Sequence, residues 1–307
     1  MRVVYLGTPD FAVKPLEKLL SLKEIEVVAV ITNVDKPVGR KRVLTAPPVK
    51  VFAESKGLKV YQYLSIKKEG VEDLKALNPD LMVTCAFGQI LSQEILDIPK
   101  HGVFNIHASI LPKYRGPAPV QYAVLNGDKK TGVTIMKTDI GVDTGDMILT
   151  ETTDIKKEET AGELLERLSL VGAVAIEKAI HSLINGTIKY TPQNHDNATH
   201  TKMLNKENAK LSLLNTSEEV VNKIRAYNPS PIAYIDFRGE PLKIYSAKTV
   251  DAFGEVGEVL ASDKRLIIAC GSGAIEILTL QKAGGKVMDA RSFLLGNKIS
   301  VKEKIGL

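Results

Sequence analysis

The chain has 307 residues, 44% hydrophobic and 25% charged, with two cysteines, no tryptophan and a formal charge of +5. Those values sit on the globular average and exclude a disordered, collagen-like or disulfide-stapled chain, while the length favours two domains. No uncharged run reaches the roughly 18 residues of a membrane span, and the small positive surplus names no partner by itself.

In chain order, residues 3–7 are a β-branched run that predicts a strand, with Asp10 placed to cap a helix patterned on Phe11, Leu16, Leu19 and Leu20. The near-continuous Val/Ala/Ile run at 26–32 predicts a strand buried on both faces, and 81–86 and 103–107 repeat that signature. Helical periodicity falls between them at 50–55, 71–77 and 92–96. Such alternation implies an α/β fold with a mostly parallel sheet and helices on both faces. Two further strands, 132–138 and 147–155, flank a turn at 139–146, and 160–184 is the longest helical pattern. The polar stretch 186–206 holds almost no large apolar residue and marks the natural boundary. Beyond it come one helix, 217–226, and five short strands at 232–237, 242–248, 257–262, 266–270 and 274–280, which suggest a small barrel. The expected division is therefore 1–189, a linker at 190–206, and 207–307.

Cys85 and Cys270 each lie in an apolar stretch and read as buried free thiols in a reducing compartment. The opening Met-Arg-Val-Val-Tyr reads as a strand without the charge step of a signal peptide, so a cytoplasmic location is expected.

Gly7-Thr-Pro-Asp10 follows the first strand, but no G-x-G-x-x-G is present, and a nicotinamide cofactor is not expected. More informative is Asn105-Ile-His-Ala-Ser-Ile-Leu-Pro-Lys-Tyr-Arg-Gly116. Asn105 and His107 are two apart on a predicted strand, so their side chains leave the same face at the strand's end, where open α/β sheets hold ligands. Asp143 lies in a second Gly-punctuated loop, 139–145, that could close over the same edge. Amide, imidazole and carboxylate suit transfer to an amine: an oxyanion donor, a proton handler and an orienting acid. A buried core histidine is the competing reading, and metal binding would need more ligands than this spacing offers. Residues 33–50 carry Lys36, Arg40, Lys41, Arg42 and Lys50 against Asp35 alone, a basic loop of about 15 residues.

Together with Gly132-Val-Thr-Ile-Met136 and Gly141-Val-Asp-Thr-Gly-Asp146, the Asn105-to-Gly116 stretch resembles the 10-formyltetrahydrofolate-dependent formyltransferases. Ile110 stands where the family motif has a leucine, a swap that keeps volume and apolarity. The opening Gly-Thr-Pro-Asp-Phe11, the basic loop and Ile224-Arg-Ala-Tyr-Asn-Pro229 narrow the likeness to the branch whose acceptor is the α-amine of initiator methionyl-tRNA. A sugar-nucleotide amine is the alternative acceptor. The resemblance implies a Rossmann-like formyltransferase domain followed by a small OB-like β-barrel domain. It implies catalysis by Asn105, His107 and Asp143, and a folate site of Phe87, Gly88, Gln89, Ile90, Ser109, Ile110, Leu111 and Pro112. Phe87 and Ile90 have plain core packing as their competing role. Contacts to tRNA would fall to Arg40, Lys41, Arg42, Lys206 and Lys210. The co-substrate would be 10-formyltetrahydrofolate, with no metal and no membrane partner. A monomer is expected, because no long apolar helical stripe lacks a core role. Ser230 and the pair Leu213-Leu214 depart from the family's usual tryptophan-bearing sequences at those places.

Overall fold

The structure, a computed structural model, describes residues 1–39 and 41–306. They form two compact units. The first comprises Met1–Gly116, Thr131–Thr153 and Leu165–Thr201; the second comprises Pro117–Lys130, Asp154–Leu164 and the chain from Lys202 onward.

In the first unit, β1 (Arg2–Gly7), β2 (Glu26–Thr32), β5 (Val60–Gln62), β6 (Leu81–Cys85), β7 (Val103–His107), β8 (Lys130–Lys137) and β9 (Met147–Asp154) build a seven-stranded sheet in the order β5-β2-β1-β6-β7-β8-β9. The first five are mutually parallel and β8 runs antiparallel to β7. The apolar runs are strands because both faces are covered: Val3, Val4, Tyr5 and Leu6 are fully buried, and so are Leu81, Met82, Val83 and Cys85. Ile66, Leu74 and Ile95, from α3 (Ile66–Glu69), α4 (Val71–Leu77) and α5 (Gln93–Leu96), pack with Val4, Leu6, Ile31 and Met82. Each such side chain contributes about 1.5–3 kcal/mol by leaving water. α1 (Val13–Ser21) buries Pro15, Leu16 and Leu19. The long α7 (Ala161–Ile184) lies so close to the sheet at Gly172 that an added Cβ would come within 3.1 Å of Ile106.

Two hairpin strands, β3 (Lys36–Val38) and β4 (Val43–Thr45), pair Lys36 with Thr45 and Val38 with Val43. The basic loop is thus a solvated β-ribbon, leading into α2 (Pro48–Ser55). The chain runs from β1 outward through β2 to β5, then returns to place β6 on β1's other side. That reversal opens a crevice at the C-terminal ends of β1 and β6, beside β7.

The second unit is a curled antiparallel sheet, a half-barrel. It comprises β10 (Tyr234–Phe237), β11 (Glu240–Val250), β12 (Val259–Ala261), β13 (Leu266–Ala269) and β14 (Ala274–Gln281), in the order β10-β11-β14-β13-β12, with β15 (Val287–Asp289) on β14. Register shifts in β11 at Ser246 bend it, as bulges do. α8 (Ser217–Ala226) starts with a complete capping box between Thr216 and Glu219, and α9 (Ala290–Gly296) closes the chain's last regular structure.

The observed units differ from the expected linear division. α6 (Pro119–Leu125) joins the second unit, and Gly127 abuts Asn222 of α8 so closely that an added Cβ would sit 2.8 Å from the amide nitrogen. Arg225 donates to the carbonyls of Glu159 and Lys156 at 3.0 and 3.2 Å, which ties 154–164 to the same unit. The expected linker is also divided, because residues up to Thr201 pack in the first unit. Among the described residues, no helix is long and apolar enough to cross a membrane.

Candidate active site

The site is built at the end of β7. Asn105 lies beside Thr84 of β6 in register, and the Thr84 hydroxyl donates to Asn105 Oδ1 at 2.9 Å. The other end of the amide, its NH2, turns outward and donates to Asp143 Oδ1 at 3.3 Å, and because a carboxylate only accepts, that bond identifies the two ends. His107, two residues on and 6% exposed, points to the same side. Its Nε2 lies 2.9 Å from the Tyr114 carbonyl, which can only accept, so Nε2 carries the proton. Nδ1 then faces Asp143 Oδ2 at 3.5 Å. A proton taken up at Nδ1 would therefore sit against a carboxylate.

Asp143 is held from several directions. Its Oδ2 also accepts the Gly116 backbone N–H at 2.8 Å. The residue has φ 54°, in the left-handed region that aspartate tolerates better than most side chains. Two residues on, Gly145 leaves no room for anything larger, since a Cβ there would lie 1.8 Å from the Lys137 carbonyl oxygen.

A polar segment then crosses both loops. Thr191 and Met147 exchange two backbone hydrogen bonds, of 2.9 and 2.8 Å. The buried Gln193 donates through Nε2 to the carbonyls of Asp143 and Gly145, at 2.9 and 2.7 Å. Arg115, also buried, donates to Gln193 Oε1 at 3.1 and 2.7 Å and to His195 Nδ1 at 3.1 Å. Tyr114 N–H donates to Thr199 Oγ1, and the Arg115 backbone pairs with Thr199 and Thr201, all at 2.8 Å.

A family model described as Formyl transferase matches residues 1–180, and another described as Formyl transferase, C-terminal domain, matches residues 203–298. The chain belongs to the formyl transferase family. The methionyl-tRNA formyltransferase of Macrococcus caseolyticus is 44% identical to this family member over 299 residues, covering 97% of this chain and 96% of the relative. That of Bacillus pumilus is 42% identical over 311 residues, covering 100% and 98%. Among solved structures, an N-formyltransferase from Helicobacter canadensis in complex with folinic acid and dTDP-3-aminofucose superposes with a TM-score of 0.69 at 25% identity. It covers 91% of this chain and 98% of its own.

The structure brings Asn105, His107 and Asp143 of this formyl transferase into one cluster, in which Asn105 donates to Asp143 and His107 Nδ1 lies 3.5 Å from it. The expected folate residues divide into two groups. Ser109 is fully buried, and its hydroxyl donates to the Lys113 carbonyl at 2.6 Å. Leu111 is buried, and Phe87 sits in the core with Val4 and Leu6. Gln89 accepts from Ile66 N–H at 2.8 Å and donates to Asn33 Oδ1 and the Tyr63 carbonyl at 2.8 and 3.0 Å. These four are committed to packing and hydrogen bonds within the unit. Ile110 and Pro112 are half-buried, while Gly88 and Ile90 are exposed, Ile90 at 72%.

Of the expected tRNA contacts, Lys41 and Arg42 lie exposed at the hairpin turn, where Gly39 and Arg42 have φ of 73° and 49°. Arg40 lies outside the described residues. Lys206 is exposed in the second unit, and Lys210 pairs with Asp236, whose hydrogen bond holds the ammonium's pKa above its usual value. Lys50 is committed to Asp35, with both carboxylate oxygens at 2.9 Å. The Gln62 amide and that ammonium together hold the Asp35 carboxyl below its ordinary pKa.

Sequence reasoning missed Thr84, Arg115, Gln193 and Asn33. Asn33 donates to the Phe87 carbonyl at 2.7 Å and to Thr8 Oγ1 at 3.2 Å, joining the ends of β1, β2 and β6. Thr84 carried the one available signal, a hydroxyl in an otherwise apolar buried run.

Proposed function

We propose that this protein transfers the formyl group of 10-formyltetrahydrofolate to the α-amine of initiator methionyl-tRNA, acting as a cytoplasmic monomer. The observation that carries the reading is the joined Asn105, His107 and Asp143 cluster at the C-terminal edge of a parallel sheet. The tRNA amine is favoured over a sugar-nucleotide amine because the relatives at 42–44% identity carry the former activity in their names. The neighbour bound to an amino-sugar nucleotide stands at 25%.

A bound folate would supply the activated one-carbon unit, and the chain's residues do the rest. A free α-amine has a pKa of roughly 7.7 and must be unprotonated to attack. With Nε2 pinned as donor to Tyr114, His107 Nδ1 is the atom that accepts the proton as the amine bonds to the formyl carbon, and Asp143 stabilises the imidazolium until that proton passes to the folate nitrogen as its bond to the formyl carbon breaks. Asn105 Nδ2 has two hydrogens. One goes to Asp143; the second we assign to the formyl oxygen as negative charge develops there.

The crevice walls suit a flat ring rich in donors and acceptors. In the 86–90 loop, Ala86 at φ 46° and Gly88 at φ 82° form an exposed turn beside the exposed Ile90. A Cβ at Gly88 would lie 3.3 Å from Asn33 Nδ2, crowding that turn. Ile110 and Pro112 supply half-buried apolar surface at the end of β7, with Ser109, Leu111, Phe87 and Gln89 buried or bonded beneath. For tRNA, Lys41 and Arg42 at the cationic hairpin turn, with Arg40 as a further cation of the sequence and with Lys206 and Lys210, offer phosphate contacts that position without reading sequence.

The test is to incubate the protein with 10-formyltetrahydrofolate and charged initiator tRNA, deacylate, and detect formylmethionine by mass. Formylation of an amino-sugar nucleotide with no formylmethionine would overturn the assignment.

A further inference from the structure

We infer that the segment 191–201 is a strap that positions the Asp143 carboxylate, with Gln193 and Arg115 as positioning residues for formyl transfer; the inference deepens the functional reading above and rests on it. Gln193 is 5% exposed and its side chain is saturated: two donated bonds reach the Asp143 and Gly145 carbonyls, and Oε1 accepts two from Arg115. An aspartate tolerates the left-handed region, and fixed bonds to its surroundings hold it there in one orientation. Here the Gln193 bond to its own carbonyl does so from one side and Gly116 N–H to its carboxylate from the other.

Arg115 is 3% exposed, and its guanidinium donates to neutral acceptors, Gln193 Oε1 and His195 Nδ1. A buried cation is held less well by neutral acceptors than by a carboxylate, so stability alone does not account for this choice. What the rigid guanidinium fork provides is direction: it fixes the amide plane of Gln193, and so the line along which Gln193 holds the Asp143 loop. The strap is fastened at both ends, by the Thr191–Met147 pair and by Thr199 and Thr201 against Arg115. Thr199 also fixes Tyr114, whose carbonyl orients His107. Both partners of the imidazole thus depend on a segment whose composition reads as a linker.

The experiment uses the full-length protein carrying Gln193→Met, which keeps length and loses all four hydrogen bonds. Gln193→Asn, polar but too short to reach, takes its place if the first does not fold. The expected result is a fall in kcat of about 100-fold with KM for both substrates within about threefold. In an Asp143→Ala background the same change should cost less than about threefold, since the group it positions is gone. A merely structural role would cost the same factor in both backgrounds. A second readout is independent of activity: hydrogen exchange of the Gly116 amide should quicken at least about tenfold, while amides of β1 stay unchanged. If the wild-type protein makes no formylmethionine, the functional reading fails and Gly116 exchange decides the strap alone. Equal factors in both backgrounds, or unchanged Gly116 exchange, would overturn the inference.

Discussion

Two glycines in the Asp143 loop separate a backbone clash from a side-chain clash. At Gly145 an added Cβ would meet the Lys137 carbonyl oxygen at 1.8 Å and Asp139 N at 3.3 Å. That is about 1.5 Å inside ordinary contact. Lys137 cannot yield, because it is in β8 and its N–H is bonded to Asp146 O at 2.8 Å. The loop must move instead, taking the Gly145 carbonyl off Gln193 and shifting Asp143. A displacement near 1 Å at reacting groups costs about 100-fold in rate. Overpacking strain adds about 1–3 kcal/mol, lowering Tm by roughly 2–4 °C per kcal/mol for a domain of this size. At Gly141 the Cβ's three nearest atoms all belong to the Thr144 side chain, Oγ1 at 2.0 Å and Cβ and Cγ2 at 3.1 Å; the hydroxyl can rotate away at the cost of its exposed 2.6 Å bond to Asp139, leaving a contact that a few tenths of an ångström relieve. Gly145→Ala should therefore lose about 100-fold in kcat, and Gly141→Ala less than about threefold, with both substrates saturating and circular dichroism confirming the fold. A near-wild-type rate for Gly145→Ala, or a slower Gly141→Ala, would refute the reasoning.

Asn105→Ala should lower kcat by about 10²–10³, the usual loss for one oxyanion donor, with thermal unfolding little changed; a near-normal rate removes it from the mechanism. Thr84→Val should cost about tenfold in kcat by freeing the Asn105 amide to rotate, and Thr84→Ser should restore most of it. Replacing Lys41 and Arg42 by alanine should raise KM for tRNA and flatten its salt dependence by about one to two units of log–log slope, leaving KM for the folate unchanged. Burial pushes the Cys85 thiol up to about 12, so the folded state binds that proton more tightly than the unfolded chain at about 8.5. Stability is then complete below about pH 8.5 and falls as pH rises toward 12, by about 2 kcal/mol at pH 10. Urea midpoints at pH 7.5 and 10 should show this loss, and Cys85→Ala should reduce it.

The strands of the first sheet that announce themselves are those buried on both faces. β1, β2 and β6 are near-continuous apolar runs and β7 is one interrupted by Asn105 and His107, whereas Val-Tyr-Gln of β5 is too short to stand out. The hairpin was hidden for a related reason: its side chains are solvated, so no apolar alternation marks it. The Gly-Pro-Ala-Pro lead into α6 masked a helix whose apolar face is covered by α8. Likewise β15, three residues with little burial, escaped notice beside five visible barrel strands. In the site, period-two spacing exposes Asn105 and His107 as a pair, while Asp143 is legible from its loop and from family resemblance. Phe87 shows the limit of reading by neighbourhood, for its ring packs into the core while its carbonyl serves Asn33 and Thr8. Gln193 and Arg115 carry no periodic signal at all, because bonds between loops depend on where the chain returns in space.

The most direct measurement of the central claim is the ratio of kcat/KM for two acceptors under one 10-formyltetrahydrofolate concentration: charged initiator tRNA and a dTDP-amino sugar. The cluster at β7 and the cationic hairpin predict a ratio of at least about 10³ in favour of tRNA, falling when Lys41 and Arg42 are removed. A ratio near or below one would contradict it.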